Sequence, residues 1–204
     1  MMNGNYLEPM INSAHTLIAG TTGSGKSVLL NKAITYIDDY TSGICEFFDL
    51  KRVELSEYRD HVFCLDYITE PEDVLEALDA MIYVMDQRYK RMVGKSSDEC
   101  PIYIVGDELA DMLTVDGSLE RLVKIGRLGR ASNIHLLCAT QDPSRHTLPA
   151  QLMQNFTCTI ALRCRSSIES RQIIGVPGAE TLPKHGYGYR WDADGIQKFA
   201  IPLN

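Results

Sequence analysis

Short apolar runs alternate with stretches of helical period along the whole chain. His15-Thr16-Leu17-Ile18-Ala19 reads as a strand, followed by a Gly-rich turn and a helix from about Lys26 to Asp39. Ile44 to Phe48 and Val62 to Leu65 predict two more strands. A long helix is predicted over about Glu70 to Val93, because Val74, Leu78, Met81, Met85, Tyr89 and Met92 recur at steps of three and four. Thr69 with Glu72 has the form of a capping box at its start, and Arg88, Lys90 and Arg91 end it where the macrodipole favours cations. Its methionine stripe reads as a core face. Pro101 to Val105 predicts a buried strand, Leu119 to Leu128 a helix, and Ile134 to Ala139 and Thr159 to Leu162 further strands. Tyr187 to Trp191 and Gln197 to Ile201, around Asp194-Gly195, predict a closing β-hairpin. With no repeat and no linker, the alternation predicts one α/β domain over residues 1–204, built on a mostly parallel sheet.

Composition narrows the class. The 204 residues are 45% hydrophobic and 23% charged, enough for a core without staples and far from fibrous or disordered chains. No apolar run approaches the ~20 residues that span a bilayer. Met1 to Asn5 lacks a basic segment leading into an apolar one, so a cytoplasmic location is expected. The six cysteines form no CxxC pair and the five histidines have no ligand spacing, which predicts reduced core thiols and not a zinc site. The net charge of −7 argues against a nonspecific nucleic-acid binder, yet the charge is uneven. Ser118 to Gln172 holds eight Arg/Lys against three acids, a surplus of +5 that leaves −12 on the remainder.

Gly20-Thr21-Thr22-Gly23-Ser24-Gly25-Lys26-Ser27 fits G-x-x-x-x-G-K-[ST] between an apolar strand and a helix. Glycines let backbone N–H groups turn inward on phosphate oxygens, and the helix N-terminus adds partial positive charge. Thr22, Gly23, Ser24, Gly25, Lys26, Ser27 and Val28 are the expected cradle. Lys26 would reach the β- and γ-phosphates and Ser27 would offer its hydroxyl to Mg²⁺. A second apolar strand ends in Gly106-Asp107-Glu108. Asp107 is the expected Mg²⁺ carboxylate and Glu108 the expected base for a water attacking the γ-phosphate. The Gly before Asp107 is expected to loosen the strand end. Thr140-Gln141 ends a third apolar run, where Gln141 can sense the γ-phosphate. No Asn/Thr-Lys-x-Asp base reader and no basic lid segment is present, which leaves ATP hydrolysis as the chemistry.

These blocks resemble the FtsK/SpoIIIE family of DNA translocases, within the FtsK–HerA group. The similarity takes in His15 to Val28, Asp49-Leu50-Lys51 with Glu54-Leu55-Ser56, Gln87 to Met92, Asp107 to Asp111, Gly129 to Leu136, Ala139-Thr140-Gln141, Ser166 to Arg171 and Gly178-Ala179-Glu180. The resemblance implies a RecA-like motor domain working as a ring, typically a hexamer, with ATP between subunits. It implies that Arg130 is an arginine finger on a neighbour's γ-phosphate and that DNA phosphates are gripped near Arg145, Arg163, Arg165 and Arg171. Taken alone, Arg130 reads as a cation at a helix C-terminus. Two departures stand out: Asp142 replaces an Arg of the family pattern, and Ser167 takes the place of a Lys. The acidic pI of about 5.2 and these lost cations leave a protein substrate as an alternative. A nucleotide-dependent assembly scaffold is a further alternative.

Overall fold

The central strands of the sheet are apolar on both faces. The computed structural model describes residues 6–92 and 98–202. In chain order the elements are α1 (Leu7–Asn12), β1 (His15–Ala19), α2 (Lys26–Tyr40), β2 (Ile44–Phe48), β3 (Cys64–Ile68), α3 (Val74–Arg91), β4 (Ile102–Gly106), α4 (Leu109–Met112), α5 (Ser118–Leu128), β5 (Ile134–Thr140), α6 (Ala150–Met153), β6 (Cys158–Ala161), α7 (Ser167–Ile174), β7 (Tyr187–Asp192) and β8 (Gly195–Ala200). They form one sheet in the order β3-β2-β4-β5-β1-β6-β7-β8. Its first six strands are parallel, and the β7–β8 hairpin adds two antiparallel strands beyond β6.

Successive side chains on each strand enter opposite cores. Ile18, Phe47 and Val105 pack with Leu29, Ala33 and Ile37 of α2. Leu17, Phe48 and Ile104 pack with Leu78 and Met85 of α3 and Leu122 of α5. Covering both faces is why these strands read as unbroken apolar runs and not as alternating ones. A smaller cluster of Ala19, Ala161, Ile173, Ile174 and Leu182 lies under α7. Because β1, β4 and β5 are parallel neighbours, their C-terminal tips share one edge, the ligand-binding edge of open α/β sheets. No helix among the described residues is long and apolar enough to cross a membrane.

The structure corrects several element predictions. The strand predicted at Val62 to Leu65 is β3, displaced to Cys64–Ile68, and Val62 is fully exposed. An edge strand needs no continuous apolar run, so hydropathy placed it too early. The capping box does not form. The Thr69 hydroxyl meets Glu70 Oε1 at 3.3 Å, and a 3-10 turn at Pro71–Asp73 precedes the helix. Pro71 fixes that turn and α3 starts only at Val74. The helix ends at Arg91; residue 93 of the prediction lies outside the described residues. Four helices had no prediction: α1, α4, α6 and α7. For α7 the signals were present. The Ser166 hydroxyl accepts from Glu169 N at 3.3 Å, and Gly175 ends the helix in the left-handed region.

Candidate active site

The cradle is shaped by two glycines whose backbone a Cβ would strain. Gly23 has φ 74° and Gly25 φ 101°, and Gly25 is the residue before α2. The loop is fastened from behind, where Thr21 N and Oγ1 donate to the Arg163 carbonyl at 2.9 and 3.2 Å. Beside it lies a cavity of about 160 Å³ lined by Thr22, Gly23, Lys26, Ser27, Lys51, Glu54, Asp107 and Gln141 among others. Ser24, Gly25 and Val28 fall outside that lining; Val28 is half exposed and the buried Ser24 hydroxyl has no partner. Lys26 is buried, its ammonium donates to the Thr21 carbonyl at 3.3 Å, and burial lowers its pKa.

The strand tips bring the acids to this cavity. Burial, and then the charge of Asp49, push the Asp107 carboxyl up to about 7, with Asp111 and Glu108 adding repulsion against relief from Lys51. Such a carboxylate favours a cation beside it. Asp107 and Ser27 on one cavity, next to the glycine cradle and an unsatisfied Ser24 hydroxyl, fit a magnesium-bound polyphosphate. Gly106 does not loosen β4. A Cβ there would come within 2.9 Å of Met112 Sδ, so the glycine admits α4 against the strand.

Glu108 is buried and does not line the cavity; its carboxylate turns to the tip of β5. It accepts from Thr140 Oγ1 at 2.7 Å and from Gln141 N at 3.0 and 3.2 Å. Gln141 in turn accepts at Oε1 from Thr22 Oγ1 at 2.6 Å, which ties the acid, the sensor strand and the P-loop into one chain of bonds.

The loop after β2, one of the blocks that carry the resemblance, contributes in a way the motifs did not assign. Asp49 is fully buried and accepts from Val53 N at 3.2 Å, Leu55 N at 3.0 Å and Tyr67 Oη at 2.9 Å. These bonds fold the loop so that Lys51, Val53 and Glu54 reach the cavity, and Lys51 pairs with Asp111 at 2.9 Å. A lone Asp after a strand carries no sequence signal for this role; Tyr67 closes the arrangement from another strand.

Arg130 lies at the opposite edge. It sits in a 3-10 turn, Gly129–Ser132, just before β5, and is exposed. The five residues of β1 separate the two edges by roughly 16 Å, so Arg130 does not reach the P-loop of its own chain. The turn under it is pinned. Arg88, 4% exposed, donates to the carbonyls of Ser132 at 2.8 Å, Asn133 at 3.2 Å and Cys100 at 2.8 Å. Asn133 is left-handed at φ 57° and donates to the Glu99 carbonyl at 2.7 Å. Gly129 packs so closely that a Cβ would meet the Ile134 carbonyl at 2.5 Å.

Of the other cations near Arg130, Arg121 and Lys124 are paired across to Asp79 and Asp86 of α3. Arg145, Arg163, Arg165 and Arg171 are exposed on segments that follow β5 and β6. Arg163 differs from the rest in that its carbonyl buttresses the P-loop. Asp142 organises the Arg145 loop, accepting from Ser144 N at 3.0 Å and Thr147 Oγ1 at 2.6 Å, which holds its carboxyl below the usual range.

Known proteins are similar to this chain in sequence and in fold. Residues 2–99 match the FtsK/SpoIIIE family model. The DNA translocase FtsK of Chlorobaculum tepidum is 34% identical over 82% of this chain and 24% of its own length. The cytoplasmic domain of the Thermomonospora curvata type VII secretion ATPase EccC aligns at 28% identity and a TM-score of 0.73, over 94% of this chain and 26% of that one. The pCW3 conjugation coupling protein TcpA, in a monomer form with ATPγS, shares the fold at a TM-score of 0.78 and 23% identity, over 94% and 60%. The chain thus spans about a quarter of the length of the curated relatives it matches. On these matches the chain belongs to the FtsK/SpoIIIE family, with a RecA-like P-loop ATPase fold.

Proposed function

We propose that the chain is an ATP-hydrolysing motor that moves DNA and acts as a ring in which each nucleotide lies between two copies. The carrying observation is the division of labour across the sheet. Lys26, Ser27, Asp107 and Gln141 line one cavity at the C-terminal edge, while the exposed Arg130 stands at the other edge on a pinned turn. One copy supplies cradle, metal carboxylate and base, and its neighbour supplies the guanidinium. Lys26 neutralises phosphate charge, Ser27 and Asp107 hold Mg²⁺, and the magnesium screens charge on the phosphates when bound. Glu108 takes the proton of the attacking water, with Thr140 and Gln141 fixing its carboxylate. Arg130 stabilises the charge that develops on the γ-phosphoryl group. Arg145, Arg165 and Arg171 contact DNA phosphates, which read charge and not sequence. The family, whose matched members include DNA translocases, supports DNA as the substrate and the cytoplasm as the location.

Phosphate release is measured without DNA, with single strand and with duplex, alongside particle mass in ATPγS. DNA is expected to raise turnover, nucleotide to raise mass, and Lys26→Ala to abolish turnover. Turnover indifferent to DNA sinks the DNA reading. The likeness to a secretion ATPase supports a protein substrate as the second reading, and turnover raised by a copurifying protein would favour it.

A further inference from the structure

A second polar cavity lies away from the nucleotide site, between α3 and the β2–β3 edge of the sheet. Its floor is Glu46 of β2, which faces the α3 side of the sheet as Phe48 and Ile104 do, at a position where the core would otherwise be apolar. Glu46 is 2% exposed, and its Oε2 is buried with no hydrogen-bond partner. The register sets Asp66 of β3 beside it, and the start of α3 brings Asp73 and Glu76 to the mouth. Over Glu46, α3 presents only Ala77 and Ala80, and the result is an open cleft of about 310 Å³. No Lys, Arg or His among the described residues forms an ion pair with any of these four acids.

We propose that this cleft binds an organic cation, with a guanidinium or ammonium group seated on the Glu46 carboxylate. A buried carboxyl with an unsatisfied oxygen is costly, and a charge-assisted partner removes that cost. The acids do not converge as metal ligands do: no group of three or more His, Cys, Asp or Glu among the described residues could hold a metal ion. A planar guanidinium, with five donors spread over a fork, suits carboxylates that stand apart, and the alanine wall accommodates an alkyl stem. Burial, and then the charge of Asp66, push the Glu46 carboxyl up to about 8. The titratable groups lining the cleft with it are Asp66 and Tyr67 from β3, Asp73 from the turn before α3 and Glu76 from α3, while β4 contributes Ile104 alone by register. The Tyr67 hydroxyl is already engaged by Asp49. A bound cation therefore displaces a proton from Glu46, and binding tightens as pH rises towards about 8 and levels off above it.

Agmatine is titrated into the full chain by calorimetry, on both sides of that pH and in two buffers of different ionisation heat. Expected are saturable binding, proton release to the buffer, and tighter binding at the higher pH. Glu46→Gln keeps the shape, loses the proton release and weakens binding roughly tenfold, the scale of one charge-assisted contact. Asp66→Asn, at the exposed mouth, weakens binding without touching the core, so the test survives if the first variant unfolds. Heats no larger than those of sodium chloride, or equal affinity in wild type and both variants, overturn the proposal. The source of the cation is read separately from self-association in ATPγS. Weaker association of Glu46→Gln, with agmatine competing in wild type, assigns the site to a basic side chain of a second copy. Unchanged association with agmatine bound assigns it to a free amine.

Discussion

The two edges of the sheet are both preorganised, but by opposite means. At the C-terminal edge the P-loop, Glu108 and Gln141 are joined by short polar bonds between strand tips, and Asp107 is crowded by like charges. That edge is strained electrostatically and is relieved by a cation. At the N-terminal edge the turn bearing Arg130 is pinned: Arg88 donates to the carbonyls of Ser132, Asn133 and Cys100, Asn133 donates to that of Glu99, and Gly129 closes it sterically. That edge holds an exposed guanidinium on a fixed turn. The difference is the one expected when one surface waits for a ligand and the other delivers a group to it.

The strongest way to break this comparison is Arg130→Ala. Turnover is expected to fall by about 10³–10⁵ with ATP binding intact, and mixing Arg130→Ala with Lys26→Ala is expected to restore part of it, because interfaces where the Arg130→Ala copy gives the cradle and the Lys26→Ala copy the finger are intact. No recovery in steady-state phosphate release would mean that Arg130 does not act across copies. Next in size, Glu108→Gln is expected to lower kcat by about 10²–10⁴ with little change in nucleotide affinity; an equal rise in Kd would instead make Glu108 a binding group.

Arg88→Met sharpens the contrast from the other edge. It strips donors from three carbonyls, and breaking a buried charged network of this kind costs about 3–5 kcal/mol. The expected signature is a lower Tm together with a lower kcat at unchanged KM for ATP, partly recovered in Arg88→Lys. A Tm loss without any kcat loss would leave Arg88 a core residue with no hold on Arg130.

The smallest effect is in pH. The folded Asp107 carboxyl sits at about 7 against an ordinary 3.8, so the native state holds that proton more tightly than the unfolded chain. Stability of the nucleotide-free protein is therefore expected to fall as pH rises from 3.8 towards 7, by at most a few kcal/mol. Asp107→Asn should flatten that slope and abolish magnesium-dependent turnover together. Denaturant midpoints across that range test it, and an unchanged slope in the variant would assign the pH response to another group.

Much of the C-terminal edge was legible because its residues are contiguous. Gly20 to Ser27 and Asp107-Glu108 lie at the tips of strands, and strand, glycine turn and helix each leave a local signature. The edge strand β3 was not legible, because a strand covered on one side need not carry an apolar run. The role of Asp49, named only as part of a family block, was not legible for a different reason: its three bonds join a strand and the loop after β2, and no spacing along the chain encodes them. The outward turn at Arg130 was expected from family resemblance alone. Its support comes from residues 88, 99, 100 and 133, which converge only once α3 packs against α5 and β4 pairs with β5.

By itself the sequence determined the α/β alternation, the cradle, the acids beside it and the family, since each rests on local periodicity or on a contiguous motif. Only the tertiary structure decided that Glu108 faces the tip of β5, that Asp49 shapes the cavity wall, that Arg130 stands a full strand length from its own P-loop, and that Glu46 lies unpaired beneath two alanines. The physical reason is shared. Hydrogen bonds and burial act between atoms that the parallel sheet brings together across long sequence separations, and no linear pattern carries that distance.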